Sequence, residues 1–103
     1  MMPVRITPRA ACDLSNAKAW LFERNPRAAK AWIKGIRAMI SELGRFPDAH
    51  PLAQEAHTFG FLVRCALYGQ GTRWRVYYAL IDEIVYVLHV RHGLLAPDWS
   101  KLD

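Results

Sequence analysis

Acidic residues are scarce: nine Asp and Glu stand against fourteen Lys and Arg, so the 103-residue chain carries a formal charge of +5. That excess fits an anionic partner, either a nucleic acid or an acidic protein. Cysteine is scarcer still. Cys12 and Cys65 lie far apart without metal-site spacing, and both sit in apolar patterns that read as buried free thiols. No apolar run approaches membrane-spanning length. The first eleven residues hold two prolines and two arginines and lack the apolar core of a signal peptide. The expected compartment is the cytoplasm, with no membrane role. A glycine-rich phosphate cradle and a Ser/His/Asp arrangement are also missing. His50 and His57 have no Cys or acid at a zinc-ligand spacing. His89 and His92, three apart on a strand, point to opposite faces. No metal and no cofactor is expected.

What the chain does contain is enough apolar surface for one core. Hydrophobic residues make up 52% of it, which excludes whole-chain disorder, and its length fits a single domain over residues 1–103. Val4-Arg5-Ile6 reads as a short strand. Thr7-Pro8 then reads as a helix start, with Thr7 the N-cap and Pro8 in the first turn. A first helix to about Arg24 carries Ala11, Leu14, Ala17 or Lys18, and Leu21 at helical spacing. Asn25-Pro26 breaks it, and so short a break implies an antiparallel helical hairpin. The second helix, roughly Pro26 to Leu43, is the clearest element. Ala29, Trp32, Ile33, Ile36, Ile40 and Leu43 form its apolar stripe, and Gly44 reads as its stop. Arg27, Lys30, Lys34 and Arg37 form a basic stripe on another face. This is either a solvated face or a docking surface for an acidic partner or a phosphate backbone.

Residues 45–58 hold Pro47 and Pro51 and show no period, so they read as a long loop of functional or partner-ordered character. A strand pattern over Phe61–Tyr68 and a turn over Gly69–Thr72 follow. Two alternating runs then meet at Asp82-Glu83, a two-residue hairpin that sets the register. Leu80 then faces Val85, Tyr78 faces Val87, Val76 faces His89 and Trp74 faces Arg91. The other face sets Arg75 beside Val90, Tyr77 beside Leu88 and Arg73 beside His92. Pairing Leu67 with Trp74 and Cys65 with Val76 places Val63, Cys65, Val76, Tyr78, Val85 and Val87 on a helix-covered face. Arg64 then joins Arg73, Arg75 and Tyr77 on the other. The expected architecture is α+β: a short N-terminal strand and an antiparallel helical hairpin packed on one face of an antiparallel sheet of three to four strands.

The group Arg64, Arg73, Arg75, Tyr77 and His92 has the composition of a metal-free RNA-cleaving site. Arginines fork onto phosphate, and a histidine moves a proton. It equally fits an ordinary polar sheet face.

Four segments together resemble the RelE/ParE superfamily of type II toxin–antitoxin toxins, also called plasmid-stabilisation proteins. They are VRITPRAACDL, ERNPRAAKAW with ISELGRFPDAHPLA, WRVYYALIDEIVYVLHV, and the terminal RHG. The resemblance implies a small bacterial, growth-inhibiting toxin held inactive by a cognate antitoxin in a hetero-oligomer. RelE-like members cut mRNA on the ribosome, whereas ParE-like members inhibit DNA gyrase and are not nucleases. Arg75 falls where RelE-like toxins place a phosphate-contacting arginine, and on that reading Arg75, His92, Arg64 and Tyr77 are catalytic. Arg73, Arg75, Arg64 and Arg91 bind nucleic acid or target, and Arg27, Lys30, Lys34 and Arg37 bind a partner. The basic pair expected after the glycine is replaced by Leu94-Leu95, which makes the chain more ParE-like than RelE-like. The expectation is a gyrase inhibitor; the alternatives are a metal-independent endoribonuclease and a degenerate antitoxin-binding protein.

Overall fold

The computed structural model describes residues 1–53, 61–69 and 74–93. In chain order these form β1 (Val4–Ile6), α1 (Pro8–Arg24), α2 (Pro26–Glu42), β2 (Arg64–Tyr68), β3 (Trp74–Ile81) and β4 (Ile84–His92). Thr7 caps α1, its Oγ1 accepting the Ala10 N–H at 3.3 Å. The same hydroxyl donates to the Val87 carbonyl at 2.8 Å, so one side chain starts the helix and ties it to β4. Asn25 serves both helices. Its N–H donates to the Leu21 carbonyl at 2.8 Å, and its Oδ1 accepts the Ala28 N–H at 3.1 Å. Gly44 is no left-handed cap: Leu43 closes α2 in right-handed helical geometry. What Gly44 supplies is space, because a Cβ there would lie 2.2 Å from the Met2 carbonyl oxygen.

The four strands are ordered β1-β4-β3-β2. The β2-β3-β4 meander is antiparallel, while β1 joins β4 in parallel, so the sheet is mixed. At the hairpin the expected register holds, with Ile81 opposite Ile84, Leu80 opposite Val85 and Tyr78 opposite Val87. Asp82 and Glu83 both take positive φ, 52° and 64°, as the primed two-residue turn requires.

Beyond Tyr78 the register departs from expectation. Leu88 bulges out of the ladder, so Tyr77 pairs with His89, Val76 with Val90, Arg75 with Arg91 and Trp74 with His92. Because side chains alternate, this one-residue slip exchanges the faces of every partner beyond it. His89 therefore leaves the place facing Val76 to Val90. His92 moves onto the helix side beside Trp74.

The β2–β3 pairing is likewise one residue off. Ala66 opposes Val76, Cys65 opposes Tyr77 and Arg64 opposes Tyr78. Val63 and Cys65 consequently sit on the face away from the helices, packing with Tyr77, Ala79 and Leu88 in a second small core. Along the free edge of β2 the chain returns antiparallel, bridging Leu52 to Arg64 and bringing Ala53 against that outer core. Ala53 N–H donates to the Val63 carbonyl at 2.8 Å and Cys65 N–H to the Pro51 carbonyl at 3.0 Å.

The main core lies between the helices and the inner sheet face. Leu14, Ile36, Ile40 and Leu43 pack with Ala66, Val76, Tyr78, Val85, Val87 and Val90, and Trp32 lies against them. On α1 the buried stripe is Ala10, Leu14 and Ala17, one residue earlier at its start than the Ala11 expected. Cys12 is exposed and Cys65 half-buried; both are free thiols. Gly35 lets α2 approach β2, since a Cβ there would fall 1.9 Å from the Tyr68 hydroxyl.

Candidate functional site

Among the described residues the nuclease candidates do not converge. Arg64 stands on the helix side, opposite Tyr78, where its guanidinium donates to the His50 carbonyl at 2.8 Å and pairs with Asp48 at 3.6 Å. The Tyr78 hydroxyl donates to the Pro47 carbonyl at 2.7 Å. Burial pushes the Tyr78 phenol above its ordinary range, with the Arg64 charge opposing. The start of the long loop is thus clamped by two side chains of the sheet. Tyr77 is buried in the second core, with its ring stacked on His89 at a centroid distance of 6.0 Å. Arg75 and Arg91 are register partners on the outer face. His92 lies on the inner face, edge-on to Trp74 at 5.2 Å. Arg73 and the tail from Leu94 lie outside the described residues.

Sequence reasoning missed the most constrained polar cluster. His89 is fully buried, and its Nδ1 lies 2.6 Å from Asp13 Oδ2. The same oxygen accepts the Val90 N–H at 2.9 Å, while Oδ1 accepts from Arg9 Nε at 3.2 Å. Burial alone would raise the Asp13 carboxyl. The His89 hydrogen bond, the Val90 N–H, the His89 charge and the Arg9 bond outweigh it and hold the carboxyl below the usual carboxylate range. The cluster fastens α1 to β4 where β1 has ended. A trace of it was present in the sequence, since Asp13 interrupts the apolar stripe of Ala10, Leu14 and Ala17.

Next to this cluster a cleft of about 500 Å³ opens between α1 and the ends of β3 and β4. Ala17, Trp20, Trp74 and Val90 give it apolar walls, and Arg91 and His92 stand with them. The basic stripe is a separate surface: Arg27, Lys30, Lys34 and Arg37 are all exposed along α2. Among the described residues no group of three or more His, Cys, Asp or Glu is placed to hold a metal ion. No described helix is long and apolar enough to cross a membrane.

A helical hairpin on a short meander, with a parallel N-terminal strand at its edge, matches one family model along most of its length. The model is that of the ParE toxin of the type II toxin–antitoxin system, parDE, and it aligns with residues 4–94. The chain belongs to the ParE toxin family. Comparison with curated proteins found no match. As a ParE-family protein it is the toxin of a type II toxin–antitoxin pair, and the family implies an antitoxin partner. The matched span runs from the start of β1 through His92 and so contains every element described above.

Proposed function

We propose that this ParE-family toxin arrests growth by binding DNA gyrase without catalysis, and that its cognate antitoxin neutralises it in a hetero-oligomeric complex in the bacterial cytoplasm. The observation that carries the reading is the dispersal of the nuclease candidates. Metal-free RNA scission needs a proton acceptor, a proton donor and a cation around one phosphodiester. Here Arg75 and His92 stand on opposite faces of the sheet, Tyr77 is buried, and Arg64 is engaged by the loop carbonyl of His50. A protein inhibitor requires no such convergence. The exposed stripe Arg27, Lys30, Lys34 and Arg37 offers an acidic partner a continuous cationic face.

One observation favours a second reading, a ribosome-dependent mRNA endonuclease. Arg75 and Arg91 are side by side on the outer face, and paired arginines suit a phosphate backbone. A supercoiling assay with purified gyrase, run against primer extension on cellular mRNA after induction, separates the two. The inhibitor reading expects lost supercoiling and no new mRNA ends. Fresh codon-proximal cuts with gyrase unaffected would reverse it, and a harmless protein that still binds antitoxin would be a degenerate toxin.

A further inference from the structure

The cationic stripe of α2 is defined as much by what it lacks as by what it carries. Arg27, Lys30, Lys34 and Arg37 fall within an arc of about 80° at roughly 100° per residue, and span about 15 Å at 1.5 Å of rise. No acidic residue stands between Pro26 and Ser41, and the first, Glu42, pairs with Arg45 at 3.5 Å. Among the described residues none of the four cations enters an ion pair, whereas Arg9 is held by Asp13 and Arg64 by Asp48. Like charges three and four apart repel along a helix, and no described residue relieves them. A merely solvated helix face mixes both signs; this one carries a single sign.

The residues between the cations decide which anion fits. The other exposed positions from Arg27 to Ser41 are Ala28, Ala31, Ala38 and Ser41. No large exposed hydrophobic side chain belongs to α2. A protein partner docks on buried aromatic or aliphatic anchors ringed by polar groups, and this face offers none. A single strand of nucleic acid binds by stacking its bases on aromatic rings. The sole aromatic residue of α2, Trp32, is turned to Tyr68 and Trp74 instead. What remains is four long cationic side chains projecting past short neighbours from a helix seated in the core by Ile36 and Ile40. That surface suits the phosphates on the outside of a double helix, which are met by charge alone and carry no sequence information.

We infer that the α2 stripe binds double-stranded DNA along its phosphate backbone, without reading base sequence. The inference goes beyond the inhibitor reading and does not depend on it. Where both hold, the anionic surface met by the stripe is the DNA on which gyrase works.

The test is fluorescence anisotropy of the full-length toxin with a labelled random-sequence DNA duplex, between about 50 and 200 mM salt. Four phosphate contacts predict that log affinity falls with log salt at a slope of about −3.6, or about −0.9 per contact. Lys30→Gln/Lys34→Gln should halve that slope to about −1.8 and weaken binding at low salt. Arg5→Gln/Lys18→Gln removes the same charge from exposed positions of β1 and α1 and should keep the wild-type slope. All four substitutions are exposed, so thermal melts should match wild type. Absence of duplex binding at the lowest salt would overturn the inference. Equal losses in both double variants would do so too, since binding would then follow net charge rather than the stripe. Single-stranded RNA that displaces the duplex, or polyglutamate that binds the stripe when the duplex does not, would assign it to another partner and overturn it as well. Supercoiling is assayed in parallel. Duplex binding with gyrase unaffected removes the inhibitor reading alone, and gyrase inhibition without duplex binding removes this inference alone.

Discussion

Replacing Asp13 with alanine removes three interactions at once: with His89 at 2.6 Å, with the Val90 N–H at 2.9 Å and with Arg9 at 3.2 Å. His89 is fully buried, so water does not replace what it loses. An orphaned buried donor costs about 1–3 kcal/mol, and there are two of them, giving about 2–6 kcal/mol. Breaking a buried pair by deleting one partner costs about 3–5 kcal/mol. These figures describe the same loss by two routes and are not added. The expected destabilisation is about 3–5 kcal/mol, a large share of the roughly 5–15 kcal/mol that holds such a domain together. At about 4–8 °C per kcal/mol for a chain near this size, Tm should fall by at least about 12 °C. Asp13→Asn keeps an acceptor for Val90 and should lose less. The folded carboxyl is held below its ordinary value, so its stabilisation is complete above the unfolded range and lost as pH falls through the folded value. The stability gap between wild type and Asp13→Asn should therefore narrow as pH falls below about 4. Urea unfolding across that range measures it. A loss under about 1 kcal/mol for Asp13→Ala at neutral pH, below the cost of a single orphaned donor, would refute the reasoning. So would a gap that ignores pH.

Ile36→Ala, at the fully buried centre of the helix–sheet core, should cost about 2–5 kcal/mol by chemical denaturation; a change under about 0.5 kcal/mol would be that of a surface site. Glu83→Gly should stabilise the protein, because Glu83 holds φ 64°, where a side chain costs about 1–2 kcal/mol, against about 0.5–1 kcal/mol for the freedom glycine adds to the unfolded chain; a lower melting temperature would contradict this. His92→Gln should leave toxicity within a few-fold of wild type, as plating after induction would show, since His92 lies against Trp74 on the helix side; a loss of about 10²–10⁴-fold in mRNA cleavage would instead mark a proton-transfer residue.

The helices and the hairpin turn were legible because each had a local chemical cause. Thr7-Pro8 and Asn25-Pro26 carry capping side chains with a proline in the first turn, and the Ile36 stripe has a single apolar period. The inner face was legible at Val76, Tyr78, Val85 and Val87, which stand in the helix-side core as expected, but the faces of β2 and of β4 beyond Val87 were not, for a reason confined to a few residues. Val87, Leu88, His89 and Val90 are all buried, so neither alternation is marked as the core face. β2 hides its register in the same way, with Cys65 packed in the outer core and Ala66 in the inner one. Residues 51–53 pair along the edge of β2 and bring Ala53 to the outer core, a long-range event with no local signature. Asp13 and His89 meet across 76 positions of sequence. Only the acid on the apolar stripe of α1 hinted that a buried partner was waiting.

The arrangement of the candidate site follows from the bulge. With Leu88 in the ladder, His92 would share a face with Arg75, and the chain would present an acid–base group beside a phosphate-binding arginine. With Leu88 out of it, Arg91 takes the place beside Arg75, and His92 turns toward Trp74 and the cleft. The bulge is held from both sides. Thr7 Oγ1 reaches the carbonyls of Val87 at 2.8 Å and Leu88 at 3.4 Å, and Asp13 takes His89 and the Val90 N–H immediately beyond. Both holding residues come from the start of α1, the element that also forms the Trp20 wall of the cleft. The first helix thereby fixes which side chains of β4 face outward and shapes the pocket they border. A chain that kept every arginine and histidine but lost Thr7 and Asp13 would lose the present grouping of those side chains without changing any of them.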